Sequence, residues 1–295
     1  MTAKPDDQGP TIAALVRESF YRLFADEAIP LAGNIAFRTV FSVFPFLIFL
    51  TALAGFFGND NLAEGVVTFL LSVAPPRLVE PLVPEIRSIL TVPRTGLLSL
   101  SALITIWSAM GGVDSVRVGL NRAYDLRETR SLWWLYFQNV LFVIGSAIFL
   151  LAFALLIVFA PIMIQLAETY APALKGHFVT IEQLRYPIGI TLLTAGVLLC
   201  HRVLPAKTLG VLEVLPGVVM TVVAWVVMSS AFSIYLVNFN TFASTYASLS
   251  GVFAAMFFVY LAALVLILGG EVNRVLEVRR IMRMQRFRAQ EDAEV

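Results

Sequence analysis

The side chains with chemistry to offer stand at the edges of long apolar stretches. Asn34 and Arg38 lie at the entrance to one stretch, Asp114 and Arg117 at the exit of another, and Glu271 and Asn273 at the exit of a third. An ionised group at membrane depth is costly unless it is paired. The chemistry open to these six residues is therefore ion pairing, with Asp114 and Glu271 as the natural partners of Arg38 and with Arg117 joining the network. Such a network reads in two ways. It is a site for a lipid headgroup or a coupling ion, or it is a clamp closing a helical bundle at one membrane face, where charges cost less than at the centre. A second polar set is uncharged: Tyr235, Asn238, Asn240 and Tyr246, interleaved with Thr241, Ser244, Thr245 and Ser248. It reads either as an outer vestibule for a neutral solute or headgroup, or as an interfacial turn with tyrosine anchors.

The residue patterns of catalysis are not apparent. His177 and His201 have no second metal ligand at a recognisable spacing, neither stands beside a candidate nucleophile, and no phosphate-binding P-loop occurs. A nuclease needs clustered carboxylates for metal-assisted hydrolysis and a basic surface for phosphates. Here the acids inside apolar stretches are two, and the basic residues follow the membrane topology. The expectation is a protein that is not an enzyme, with no cofactor, no metal and no nucleic-acid partner. Asn121, Arg122, Tyr124, Asp125 and Arg127 make a basic loop that either meets anionic headgroups or only sets orientation.

The elements that must position these residues are membrane helices. Residues 214–270 run for 57 positions without a charge, interrupted only by the polar stretch 238–250, which is room for two crossings of about 20 residues each. Further crossings are expected at 36–57, 95–113, within 131–167, and between Arg185 and Arg202. Pro45 inside the first removes one backbone bond and bends the helix near Phe41. Trp133, Trp134 and Tyr136 supply an aromatic belt at the start of the third. Residues 59–94, broken by prolines, read as an extramembrane cap. Before the first span, Ile12, Leu15, Val16, Phe20, Leu23 and Phe24 recur at helical spacing. That pattern suits an amphipathic helix lying in the interface plane or packed on the ends of the spans. The small-residue pairs Gly251/Ala255 and Ser229/Ser233 offer places for close helix approach. Cys200, the one cysteine, excludes an internal disulfide.

Six spans put both termini on one side of the membrane. Placing that side in the cytoplasm collects fifteen of the 21 Lys and Arg there and five on the other side, with Arg38 set aside as intramembrane. The expected organisation is a cytoplasmic segment at 1–30, a six-helix transmembrane domain at 31–273 and a charged tail at 274–295.

Four stretches carry a resemblance. They are LAGNIAFRTVFSVFPFLIF at 31–49, IWSAMGGVDSVRVGLNRAYDLRETRS at 106–131, LPGVV at 215–219 and YASLSGVFAAMFFVYLAALVLILGGEVN at 246–273. As an ordered set over residues 26–273 they resemble the YihY/BrkB family of bacterial inner-membrane proteins, historically labelled ribonuclease BN. Two positions depart from the family pattern: Ala247 follows Tyr246 where Tyr-Gly is common, and Val259 precedes Tyr260 where Trp-Tyr is common. The resemblance implies an all-α, polytopic protein of the inner membrane with six transmembrane helices and an N-terminal interfacial helix, of a kind described as transporters or virulence-associated factors. Joined to the near absence of charge along the last two spans, it points to translocation of an envelope-related lipid or polar solute. Membrane lipids are then partners, and a homo-oligomer is compatible. The alternative is a non-transporting scaffold of an envelope complex.

Overall fold

The computed structural model describes residues 12–58, 61, 63–65, 67–68, 83–91, 95–159, 175–238 and 247–294. All regular structure among them is helical: α1 Ile12–Ala25, α2 Ala28–Phe57, α3 Val83–Thr91, α4 Thr95–Ala123, α5 Leu132–Ala154, α6 Lys175–Val203, α7 Val211–Asn238 and α8 Ala247–Glu294, with a π turn at Leu155–Phe159 continuing α5. Six helices are long and apolar enough to cross a membrane, at Ala28–Phe57, Gly96–Ala123, Leu132–Ile157, Gln183–Val203, Val211–Tyr235 and within Gly251–Asp292. The protein is thus a multi-pass membrane protein, as its apolar runs require. Their outer faces carry large apolar side chains such as Trp107, Leu132, Val227 and Ile234, the surface expected where lipid is the solvent.

The spans exceed the apolar runs that reveal them. α2 starts at Ala28, eight residues before the run at 36–57, so Asn34 lies inside the helix. It also runs through Pro45 as one helix, which leaves the Phe41 carbonyl without its usual helical donor. α4 continues past residue 113 to Ala123, carrying Asp114, Arg117 and Asn121 on its last turns. α6 spans 29 residues through Pro187, and Arg185 near its start donates to the Tyr186 hydroxyl at 2.8 Å and lies over that ring. α8 crosses residue 273 unbroken and runs for 48 residues, because nothing after Gly270 is Gly or Pro and the tail is rich in helix formers. Asn240, Tyr246 and most of the cap at 59–94 lie outside the described residues.

Contacts divide the chain into two compact units, Met1–Ala36 with Val113–Val295, and Phe37–Gly112. In the larger unit α7 packs on α8 and α6, α1 packs on α8, and α5 packs on α6. Its interior holds two apolar clusters. One joins Leu120, Tyr124, Val197, Leu204, Val214, Val218 and Leu266; the other joins Leu23, Ala28, Ala32, Ile35, Ala123, Ala263 and Ile267. In the smaller unit Arg38 donates to the Gly111 carbonyl at 3.4 Å, and Arg87 on α3 pairs with Glu64 at 2.5 Å.

Three local devices fix the ends of the helices in the larger unit. α1 gives way to α2 in two residues, with Glu27 in the left-handed region at φ 58°, so the amphipathic helix is held at the entrance to the first span. α4 ends in a Schellman motif: Asp125 takes φ 55°, Leu126 N–H reaches the Asn121 carbonyl at 2.8 Å, and Asp125 N–H reaches that of Arg122 at 3.0 Å. That motif places Tyr124 as the last half-helical residue. α7 begins with half of a capping box, Gly210 N–H donating back to the Glu213 carboxylate at 2.8 Å.

Candidate functional site

The polar interior of the larger unit begins where α7 and α8 touch backbone to backbone. A Cβ at Gly217 would collide with the Gly269 carbonyl oxygen and the Asn273 amide, and one at Gly269 with the Thr221 hydroxyl and the Gly217 carbonyl. Small residues at a helix crossing permit that approach. The crossing is not at the small-residue pairs evident in the sequence: among the described residues a Cβ at Gly251 meets nothing within 4 Å, and Ser229 and Ser233 are exposed.

The close approach brings the Asn273 side chain onto the α7 backbone. Gly217 N–H donates to Asn273 Oδ1 at 2.6 Å, while Asn273 Nδ2 donates to the Val214 carbonyl at 2.9 Å and to the Tyr124 hydroxyl at 2.9 Å. Tyr124 in turn meets His201 Nδ1 at 2.8 Å. Four elements, the end of α4, the end of α6, the start of α7 and the middle of α8, therefore share one buried polar chain. Burial raises the Tyr124 phenol above its ordinary range and keeps it protonated.

A second cluster is built on Glu128 in the loop after α4. Its Oε1 accepts from Arg130 N–H at 3.1 Å and Nε at 2.8 Å; its Oε2 accepts from Arg130 Nη2 at 2.8 Å, from Asn121 at 3.2 Å and from Arg117. Arg117 also holds Asp114 one helical turn away at 2.7 Å. Arg130 continues to Gln138 on α5 at 3.0 Å and to the Leu204 carbonyl at 2.9 Å, while Gln138 donates to the Val203 carbonyl at 2.7 Å and Asn121 accepts from Ala206 N–H at 2.7 Å. Every oxygen of Glu128 is satisfied, so the cluster works as a clamp across α4, α5 and the end of α6. The hydrogen bond to the Arg130 side chain, with lesser help from the Arg130 N–H and Arg117, holds the Glu128 carboxylate well below the usual range. A depressed folded-state pKa contributes stability that is full above the unfolded value, about 4.3, and is lost as pH falls toward the folded one. Unfolding midpoints measured between about pH 3 and pH 7 should therefore drop on the acid side more steeply for the parent than for Glu128→Gln; parallel curves would remove Glu128 as the acid-sensitive group.

The third cluster joins α1 to α8. Glu271 is 0% exposed, and its Oε2 accepts from Arg22 Nε at 2.9 Å. Its Oε1 is buried with no partner among the described residues. Arg22 also faces Asp26 at 3.4 Å, which in turn faces Arg122 at 3.8 Å. Two turns further along α8, Arg279 pairs with Glu18 at 2.5 Å. Ser19 and Leu23 complete the buried face of α1, and its opposite side leaves Val16, Phe20, Tyr21 and Phe24 exposed.

The six network residues thus fall into separate groups. Arg117 with Asp114, Glu271 and Asn273 belong to three neighbouring clusters; Asn34 lies on the exposed side of α2; Arg38 belongs to the smaller unit. Asp114 takes Arg117 as its partner and Glu271 takes Arg22. Tyr235 is exposed near the end of α7, and Asn238 is that helix's last residue. Arg22, Glu128, Arg130 and Gln138 are not marked in the sequence, and His201 is marked there only as a histidine without a second ligand. Arg22 looks like a solvated position of an amphipathic helix, and His201 gains meaning only when Tyr124 is folded against it. Among the described residues no group of three or more His, Cys, Asp or Glu could hold a metal ion.

Comparison with known proteins agrees with the architecture. The chain is 28% identical over 269 residues to the ribonuclease-like protein YfkH of Bacillus subtilis (strain 168), covering 90% of this chain and 96% of that one. It is 21% identical over 251 residues to a UPF0761 membrane protein of Alteromonas mediterranea, covering 81% of this chain and 80% of the relative. No solved structure matches. The family model described as Virulence factor BrkB matches residues 19–294, a span that takes in the second half of α1, every candidate membrane helix and, Glu18 apart, the residues of the three polar clusters, and the chain accordingly belongs to the BrkB family.

Proposed function

We propose that the protein is a membrane carrier that translocates an envelope-related lipid or polar solute, and that the Glu271–Arg22 pair is the part of it that rearranges with the cargo. The observation that carries the reading is the contrast between two acids, Glu128 half-buried in a loop and Glu271 fully buried on α8. Glu128 has both oxygens fully engaged, as a structural clamp should. Glu271 lies deeper, is held through one oxygen by one arginine from a separate helix, and leaves its other oxygen without a partner among the described residues. A half-satisfied acid in a membrane span is expensive, and such residues are kept where a polar group must bind or pass. The scarcity of charge from 214 to 270 favours an amphiphile over a small ion. The excess of Lys and Arg beside both termini favours an inner-membrane orientation with both ends cytoplasmic. The acids in the described clusters face arginines, an arrangement that suits binding better than the ribonuclease-like name of the Bacillus relative.

A scaffold role has one observation in its favour: α8 continues to Glu294 with Arg280, Arg283, Arg286 and Arg288 exposed, an arm on which a partner could assemble. Native mass spectrometry on protein extracted with its lipids separates the readings. The parent should retain a discrete lipid or solute species, the Arg22→Gln, Glu271→Gln double variant should lose it, and Arg279→Gln, which loosens α1 without touching Glu271, should keep it. A bulk lipid mixture on all three would sink the carrier reading and move the scaffold ahead.

A further inference from the structure

The direction of every hydrogen bond in the Asn273 chain can be deduced from its ends. Gly217 N–H is only a donor and the Val214 carbonyl only an acceptor, so Asn273 must present Oδ1 to the first, at 2.6 Å, and Nδ2 to the second, at 2.9 Å. The other hydrogen of Nδ2 then points to Tyr124 at 2.9 Å, and the phenol oxygen is an acceptor there. Two arrangements remain for the 2.8 Å contact between Tyr124 and His201 Nδ1. If His201 carried its proton on Nδ1, the phenol hydrogen and the bare Nε2 would both be buried without partners. If Tyr124 donates to a bare Nδ1, only one group is left over, the Nε2–H. The second arrangement strands fewer polar groups and wins, since each buried unmade bond costs about 1–3 kcal/mol. His201 is 0% exposed, and its Nε2 has no partner among the described residues. A chain whose donors all point one way is mutually polarised, which strengthens the terminal donor.

We propose that His201 is the terminal donor of this chain and that its Nε2–H binds an oxygen acceptor inside the bundle, supplied by a water molecule or by a lipid phosphate group. The proposal is independent of the role assigned to Glu271, which lies in another cluster and shares no hydrogen bond with the chain. The Tyr124 hydrogen accounts for the bare Nδ1 of this buried imidazole but not for its Nε2–H, and the proposal supplies the partner that this second nitrogen lacks among the described residues.

The chain has two histidines, so His177→Gln leaves His201 as the sole imidazole. That variant, labelled with 15N-histidine and reconstituted in phosphatidylethanolamine/phosphatidylglycerol vesicles in phosphate-free buffer, allows both nitrogens to be read by solid-state NMR. The expected spectrum is one neutral tautomer, bare at Nδ1 and protonated at Nε2. Dephasing of Nε2 by 31P identifies a lipid phosphate as the acceptor; polarisation transfer from mobile water identifies water; either supports the proposal. Adding Tyr124→Phe should shift the Nδ1 signal away from its bare position as the enforced tautomer is released. A proton on Nδ1, an imidazolium, or an Nε2–H in contact with neither water nor phosphorus would each overturn it. Should the Tyr124→Phe protein fail to fold, the spectrum of the singly substituted protein decides the matter by itself.

Discussion

Gly217→Val will prevent α7 from seating on α8 and will destabilise the protein by about 3–5 kcal/mol. Overpacking a close-packed interior costs about 1–3 kcal/mol when flexible side chains can yield. Here the first obstacle is the Gly269 backbone oxygen, which cannot rotate aside, and the second is the Asn273 amide. Displacing that amide also breaks its bonds to Gly217 N–H and the Val214 carbonyl, each worth about 1 kcal/mol net. Gly251→Val on α8 is the control, since a Cβ there meets nothing within 4 Å among the described residues. Unfolding by SDS titration in mixed micelles should show Gly217→Val losing its folded baseline early while Gly251→Val stays near the parent. Equal midpoints for the two would mean that α7 and α8 do not meet at Gly217. Gly269→Ala should fall between them and be partly restored by Thr221→Ala, because the nearest atom to the new methyl is a side-chain hydroxyl.

These positions show which parts of the molecule the sequence makes legible. Membrane spans announce themselves because lipid demands about 20 apolar residues in a row, and the runs of this chain give that signal, the fourth, between Arg185 and Arg202, most weakly. α1 was legible for the same reason at a finer scale, its apolar residues recurring with the helical period. Glu271 and Asn273 stood out as polar residues at an apolar margin. Their partners did not, because the bonds reach Arg22, Tyr124, Val214 and Gly217 across separations of 249, 149, 59 and 56 residues. Two of those partners are backbone groups, which every residue carries and no pattern marks. The close crossing was hidden for a related reason. Gly217 and Gly269 lie on different helices, so their complementarity appears only in the folded pair, whereas Gly251 and Ala255 look like a motif and meet nothing near Gly251. Glu128 and Arg130 fall in a loop of alternating charge that reads as solvated surface until Gln138 and the end of α6 close over it.

Asn273→Leu should cost about 3–5 kcal/mol, nearly as much as the glycine substitution and by a different route. Leucine fills a similar volume, so little cavity forms and the loss is almost wholly of hydrogen bonds. Three groups surrender their partner: Gly217 N–H, the Val214 carbonyl and one acceptor site on the Tyr124 hydroxyl. Tyr124 retains His201, and the two backbone groups, left with the α7 ladder alone, lose side-chain bonds worth about 1–1.5 kcal/mol each. Asn273→Asp separates the contributions. A carboxylate still accepts from Gly217 N–H but has nothing to donate to Val214, so it exchanges an attraction for a repulsion between two oxygens. It also places a negative charge in a buried crossing, where Asn273 is 2% exposed. The aspartate variant should therefore be no more stable than the leucine variant at neutral pH, despite being closer to asparagine in shape. Against a net stability of about 5–15 kcal/mol, either loss is large enough to see in an SDS titration. If both variants unfold with the parent, Asn273 is a bystander at the crossing, and the polar chain from α7 to His201 has no energetic reality. If leucine is mild and aspartate severe, the bonds matter little and the cost of a buried charge governs this end of α8.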